Sequence, residues 1–344
     1  MAGDAREPAL SPVDRRRGST DRLDEDDVRI RPSRRGSRPR TRIRPKHTDA
    51  TSGFVVAIDR GRYTCLVDRT EITAMKAREL GRRGVAVGDR VALVGEVGGD
   101  PGALARIVRV EPRASVLRRT ADDSDPVERV IVANADQLVI VSALANPEPR
   151  PRLIDRCLVA AYDAGLHALL CLTKADLAPA EPLLEIYAPL GVDHVVTQRG
   201  GDLDPLRDRL AGQISVLVGH SGVGKSTLVN ALVPQAKRQT GQVNPVTGRG
   251  RHVSASAVAL ELPAGGWVID TPGVRSFGLA HVDLRRVIHA FPDLEAGTED
   301  CPRSCSHDEP DCALDAWVAA GHADPARLAS LRRLLATRER HEGD

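Results

Sequence analysis

The segment Gly219-His220-Ser221-Gly222-Val223-Gly224-Lys225-Ser226 fits the pattern G-x-x-x-x-G-K-[ST] in full. It follows the apolar run Ile214–Val218 and precedes a helical stretch, Thr227–Leu232. This strand–loop–helix context constrains the fold more than any other feature of the chain. The glycines let successive backbone N–H groups turn inward around a phosphate, and the helix N-terminus adds partial positive charge. Lys225 is expected to reach the β- and γ-phosphate oxygens, and the Ser226 hydroxyl to bind Mg²⁺. Thr227 closes the loop. Only five of the 49 basic residues are lysine: Lys46, Lys76, Lys174, Lys225 and Lys237. Two of the five fall where nucleotide chemistry asks for a compact ammonium rather than a guanidinium fork.

Two further segments belong to the same chemistry. Trp267-Val268-Ile269-Asp270-Thr271-Pro272-Gly273 is an apolar strand ending in D-x-x-G. Asp270 is expected to hold Mg²⁺ through water, and the Gly273 N–H to sense the γ-phosphate. Thr173-Lys174-Ala175-Asp176 ends another apolar strand and fits [NT]-K-x-D. The Asp176 carboxylate can accept two hydrogen bonds from the guanine edge, a donor pair that adenine lacks. The Lys174 stem is expected to pack over the base. The order is unusual, because the base reader precedes the phosphate loop. Such an order still closes one nucleotide site if the domain is circularly permuted.

The rest of the chain divides by pattern. Residues 1–50 lack hydrophobic periodicity and read as a disordered tail. Its basic stretch, Arg31 to Lys46, holds no acid and is either a solvated tail or a phosphate-seeking arm. Residues 51–118 show short apolar runs between glycines, as in a small all-β barrel. Spacing alone does not separate an OB-fold from an SH3-like barrel. Residues 119–282 alternate strand and helix, which predicts a mostly parallel sheet covered on both faces. One helix is expected over Arg152–Ala164. Residues 283–344 contain a short helix at Leu284–Ala290, a Cys/His cluster and a last helix starting at Asp324-Pro325.

Cys301-x3-Cys305-x-His307-x4-Cys312 offers three thiolates and one imidazole, suited to a closed, structural tetrahedral Zn²⁺ site, one per chain. Cys157 and His322 read as ordinary core or helix residues. Aromatics make up 2% of the chain, which argues against RNA binding by rows of stacked rings. Nucleic-acid contact would rest on Arg–phosphate attraction and shape. The start, MAGDAREPAL, is polar, and no apolar run reaches the roughly 18 residues a bilayer span needs. A cytoplasmic, monomeric protein with no membrane partner is expected.

The permuted order, with a barrel before it and a Cys/His cluster after it, resembles the ribosome small subunit-dependent GTPase A (RsgA) family over about residues 52–320. The motifs that carry the likeness are Val87-Gly88-Asp89-Arg90-Val91, Thr173–Asp176, Gly219–Thr227, Gly248-Arg249-Gly250-Arg251-His252, Asp270–Arg275 and the metal cluster. The resemblance implies a circularly permuted α/β P-loop GTPase domain, an N-terminal OB-fold barrel and a C-terminal zinc-binding helical domain. It implies late maturation of the small (30S) ribosomal subunit, contact with its rRNA, and GTP hydrolysis stimulated by that subunit. Two departures stand out. Val253-Ser254 follow the switch histidine where the family usually has threonines, leaving Thr247, Ser254 and Ser256 as candidates for the Mg²⁺-contacting hydroxyl. The second base-contacting loop reads Thr197-Gln198 rather than Ser-Ala.

Many GTPases place a water-orienting glutamine just after D-x-x-G, but Val274 stands there and cannot hydrogen-bond water. His252 is the candidate catalytic group, since an imidazole accepts or donates a proton near neutral pH; the alternative is a switch histidine that contacts RNA. Lys225 and Gly273 complete the expected catalytic set. Two rival readings remain: a non-hydrolysing RNA-binding assembly factor, and an ATPase or GTPase with a non-ribosomal partner.

Overall fold

The computed structural model describes residues 47–81, 84–100, 102–120, 128–234, 257–271 and 278–338. The tail expected to be disordered lies outside the described residues up to residue 46, and His47–Ala50 form a turn.

Five strands make the barrel: β1 (Thr51–Asp59), β2 (Arg62–Val67), β3 (Thr70–Lys76), β4 (Arg90–Val94) and β5 (Ala105–Val110). Their order is β1-β2-β3-β5-β4, and β4 returns to pair with β1. β3 and β5 run parallel and the other pairs antiparallel. This closed Greek key is OB-like and settles the choice that spacing left open. Its small core holds Val55, Cys65, Ile72, Val91, Leu93 and Ile107. Asp89 of the Val87–Val91 motif is fully buried there. Its carboxylate accepts from Ala86 N at 2.7 Å and from Arg113 Nε and Nη2 at 2.7 and 2.8 Å. That bidentate pairing satisfies a charge that would otherwise be too costly to bury.

A short antiparallel ribbon, β6 (Val116–Arg119) with β7 (Arg129–Ala133), leads into the main sheet. There β8 (Gln137–Ala143), β9 (His167–Thr173), β10 (Asp193–Val196), β11 (Ile214–Val218) and β13 (Trp267–Asp270) are parallel, in the order β10-β9-β8-β11-β13. β12 (Val258–Glu261) is antiparallel to β13 and touches β1 through Ala57 and Val258, so barrel and main sheet are hydrogen-bonded together. All seven residues of β8 are buried, as a central strand covered on both faces requires.

Helix α1 (Pro151–Asp163) covers one face with Ile154, Leu158 and Ala161. On the other face lie α3 (Asp204–Leu210) and α4 (Lys225–Leu232), through Leu206, Leu210, Leu228 and Leu232. Helix α2 (Glu181–Tyr187) follows β9. The stretch Leu284–Ala290 is helical as expected, but of the tighter 3₁₀ type. Pro325–Leu335 forms the closing helix, and the Asp324 side chain caps it by accepting from Ala326 N at 2.7 Å. Leu328, Leu331 and Leu334 of its stripe are buried against α1 and its neighbours, and Leu335 is partly buried. Among the described residues, no helix is long and apolar enough to cross a membrane.

Candidate functional site

The carboxyl ends of β8, β9, β10, β11 and β13 carry Ser142–Asn146, Thr173–Asp176, Thr197, Gly219–Ser226 and Asp270–Thr271. In open α/β sheets this edge is where ligands bind. The two loops that stand in reversed order along the chain meet there. Thr173 Oγ1 donates to the Val223 carbonyl at 2.5 Å, so the Thr173–Asp176 segment is tied to the Gly219–Ser226 loop.

The phosphate loop needs its glycines for two reasons. At Gly219 a Cβ would lie 2.5 Å from the Val141 carbonyl oxygen, so β8 leaves no room for a side chain. Gly224 caps α4 at φ +93°, in the left-handed region that L residues rarely occupy. Val223 fills the underside of the loop and is fully buried, while Ser221, Ser226 and Thr227 are exposed. His220 is 8% exposed. Its Nδ1 contacts the Ser221 carbonyl at 2.9 Å, and its buried Nε2 has no hydrogen-bond partner among the described residues.

Lys225, 8% exposed, starts α4. Its ammonium donates to Asp270 Oδ1 and to the Thr271 carbonyl. The expected phosphate lysine and the expected Mg²⁺-holding carboxylate are therefore neighbours, as a nucleotide–metal site requires. Thr271, which the sequence reading passed over, donates from Oγ1 to the Leu217 carbonyl at 2.7 Å and fixes the strand end beside the loop. Gly273, Val274, Gly248–His252, Thr247, Ser254 and Ser256 lie outside the described residues.

On the base side, Lys174 has a left-handed φ of 61° and its ammonium donates to the Asn146 carbonyl. A Cβ at Gly222 would lie 3.5 Å from Pro147 Cδ, so the corner Asn146–Pro147 sits against both loops. No sequence signal marked it. Asp176 is exposed at the rim. Thr197 of the second loop accepts from Ala175 N through its carbonyl at 3.1 Å, placing it behind the base reader.

The metal candidates also converge. One ligand atom from each of Cys301, Cys305, His307 and Cys312 lies within 4.8 Å of all the others. Cys301 Sγ is 3.8 Å from His307 Nδ1 and 3.9 Å from Cys312 Sγ, and Cys312 Sγ is 3.9 Å from His307 Nδ1. A tetrahedron with metal–sulfur bonds of about 2.3 Å has edges of roughly 3.8 Å, so the set fits a metal ion. Arg332 of the closing helix supports it, donating from Nε to the His307 carbonyl at 2.8 Å. Cys157 is buried in the core and His322 stacks on Trp317 at 4.1 Å, so neither belongs to the cluster.

A sequence profile for RsgA GTPase matches residues 110–280. A small ribosomal subunit biogenesis GTPase RsgA of Pseudomonas syringae pv. tomato is 43% identical over 241 residues, covering 67% of this chain and 69% of its own length. The chain belongs to the RsgA GTPase family. The RsgA of Gemmatimonas aurantiaca is 35% identical over 300 residues, 83% of this chain and 97% of that protein. Among solved structures, YjeQ from Thermotoga maritima is 27% identical with a TM-score of 0.59, covering 85% of this chain and 99% of its own. YloQ, described as a circularly permuted GTPase, has a TM-score of 0.60 at 23% identity, covering 86% and 96%, and so shares the fold. Family and fold thus agree with the permuted order read from the motifs.

Proposed function

We propose that this chain binds and hydrolyses GTP as a switch in late maturation of the small ribosomal subunit, in the cytoplasm, acting as a monomer. The observation that carries the reading is the Thr173–Val223 hydrogen bond, which joins a guanine-reading loop to a phosphate loop at one sheet edge. The maturation role rests on relatives named small ribosomal subunit biogenesis GTPase. We read residues 51–118 as the barrel, 119–282 as the GTPase domain and 283–344 as the metal-bearing segment, with rRNA met by the barrel and the basic tail.

The roles follow from chemistry. Asp176 accepts from the guanine edge and Lys174 packs on the base, while Thr173 holds the two loops in register. Backbone N–H groups of Gly219–Thr227 and the Lys225 ammonium take the phosphates. Ser226 and Asp270 would hold Mg²⁺, which supplies charge neutralisation at the β- and γ-phosphates. Gly273 N–H reads the γ-phosphate. Cys301, Cys305, His307 and Cys312 would hold one zinc ion, and four protein ligands leave no open position for catalysis.

His252 is assigned the nucleophilic water, because Val274 offers no hydrogen bond where other GTPases use glutamine. The test is phosphate release from GTP with and without purified small subunits. The wild-type chain should be strongly stimulated, and His252→Ala should lose the stimulation while still binding GTP. Unstimulated wild-type turnover would reject the ribosomal reading, and a fully stimulated variant would reject the role of His252.

A further inference from the structure

The closing helix Pro325–Leu335 touches the metal cluster on one side and the elements behind the nucleotide site on the other. Arg332 faces the cluster, holding Asp315 with Nη1 and Nη2 at 2.9 and 2.7 Å besides the His307 carbonyl. Arg333, the next residue, enters a buried patch between α1 and α2. Its Nε lies 3.3 Å from Asp155 Oδ2 and its Nη2 3.5 Å from Asp155 Oδ1. Nη1 donates to the Ile186 carbonyl at 3.3 Å, and the guanidinium carbon sits 5.4 Å over the Tyr187 ring. Asp155 is 5% exposed, and burial raises its carboxyl above the usual range against the pull of Arg333 and the Tyr187 hydroxyl. The Tyr187 hydroxyl in turn donates to the Pro151 carbonyl at 3.1 Å.

Pro151 is the first residue of α1, and no side chain among the described residues caps that end. Tyr187 holds the Pro151 carbonyl from outside the helix, and Arg333 pairs with Asp155 one turn further along. Immediately upstream lies the Asn146–Pro147 corner, which accepts from Lys174 and packs beside Gly222 of the phosphate loop. The contacts form one physical chain from the closing helix to both halves of the nucleotide site. Asp155 is buried and Arg333 half-buried, so losing the guanidinium would leave a buried carboxyl without its cation.

We propose that Arg333 is a positioning residue for guanine-nucleotide binding. It fixes the start of α1 and, through the Asn146–Pro147 corner, the setting of Lys174 and the phosphate loop. The inference rests on reading this sheet edge as a guanine-nucleotide site. Arg333 touches neither nucleotide nor attacking water, so its loss should weaken binding and leave the chemical step alone.

The experiment compares the full-length wild-type chain with Arg333→Met, Arg333→Lys and Tyr187→Phe. It measures the Kd for a fluorescent GDP analogue and the kcat and KM for GTP, with thermal melting and metal content as controls. For Arg333→Met we expect Kd and KM to rise about tenfold, within the usual span of coupling between sites, with kcat within about twofold of wild type. Arg333→Lys keeps the charge and should recover part of the affinity at an unchanged metal content. A merely structural role would lower the melting temperature without splitting KM from kcat. Folded Arg333→Met with wild-type Kd overturns the proposal. If Arg333→Met does not fold, Tyr187→Phe decides, because it removes the hydroxyl that serves both the Pro151 carbonyl and Asp155; unchanged Kd there overturns the proposal equally. Failure of the wild-type chain to bind GDP would instead defeat the reading of the site itself.

Discussion

Thr173 Oγ1 lies 2.5 Å from the Val223 carbonyl oxygen, although the two residues are 50 positions apart and stand in the reverse of the usual motif order. Val223 is fully buried, so its carbonyl has this hydroxyl as donor in a place where an unpaired acceptor is costly. Thr173→Val keeps the shape and removes the donor. Losing such a bond costs about 1 kcal/mol, or roughly a fivefold weaker hold on GDP. Thr173→Asn restores a donor and should bind nearly as wild type. Titration with a fluorescent GDP analogue checks both, and wild-type affinity in Thr173→Val would contradict the bracing role.

Metal removal should separate the six cysteines into two classes. Cys65, Cys157 and Cys171 lie in the apolar cores at 2% exposure or less, out of reach of a reagent while the chain is folded. Cys301, Cys305 and Cys312 could hold a metal ion, which would protect them. Alkylation after chelation, read by mass spectrometry, should label those three and spare the others. Labelling of all six without denaturant, or of none, would contradict the assignment.

The buried Asp89–Arg113 pair gives a stability prediction. Asp89→Ala leaves the guanidinium without its two short bonds, and breaking a buried pair from one side costs about 3–5 kcal/mol. Replacing both residues by leucine should cost less than the single change. Denaturant melts of the two variants provide the comparison, and a loss in Asp89→Ala no larger than in the double variant would contradict the cost assigned to the unpaired guanidinium.

His281 supplies a pH dependence. Burial is the main cause holding its pKa below the ordinary 6.5, helped by Arg118 and opposed by Asp163 and Glu128. Its Nδ1 is buried without a hydrogen-bond partner among the described residues. A base with a depressed native pKa binds its proton later in the folded state than in the unfolded chain. The stability it permits is present above 6.5 and is lost as pH falls from there through the depressed value. His281→Gln should flatten the melting temperature against pH in that window. An unchanged slope would place the acid sensitivity elsewhere.

Much of the candidate site can be read in the sequence because its parts are local. The strand runs Ile214–Val218 and Trp267–Ile269 match β11 and β13 to within a residue, since a buried parallel strand is a continuous apolar run. The phosphate loop, the base reader and the Cys/His spacing are each short and chemically distinctive. The elements missed include β3, β6, β7, β12 and the helices Glu181–Tyr187, Asp204–Leu210, Pro292–Glu295 and Ala313–Ala319. β3, Thr70–Lys76, mixes charged and apolar residues because one face of a barrel strand meets solvent. The short helices offer two turns or fewer, too little for a 3.6-residue period to show. Contacts such as Lys174 to Asn146, or Arg333 to Asp155, depend on how distant segments meet, and no spacing rule carries that information.

The most direct test of the account is nucleotide competition on the purified full-length chain, with GDP and ADP, and with xanthosine diphosphate for Asp176→Asn. Two guanine donors need a carboxylate with two acceptors, whereas an asparagine side chain offers one acceptor and one donor pair. The wild-type chain should bind GDP and ignore ADP, and Asp176→Asn should lose GDP and gain xanthosine diphosphate. A chain that took up ADP as well as GDP, or an Asp176→Asn variant that kept its affinity for GDP, would contradict it.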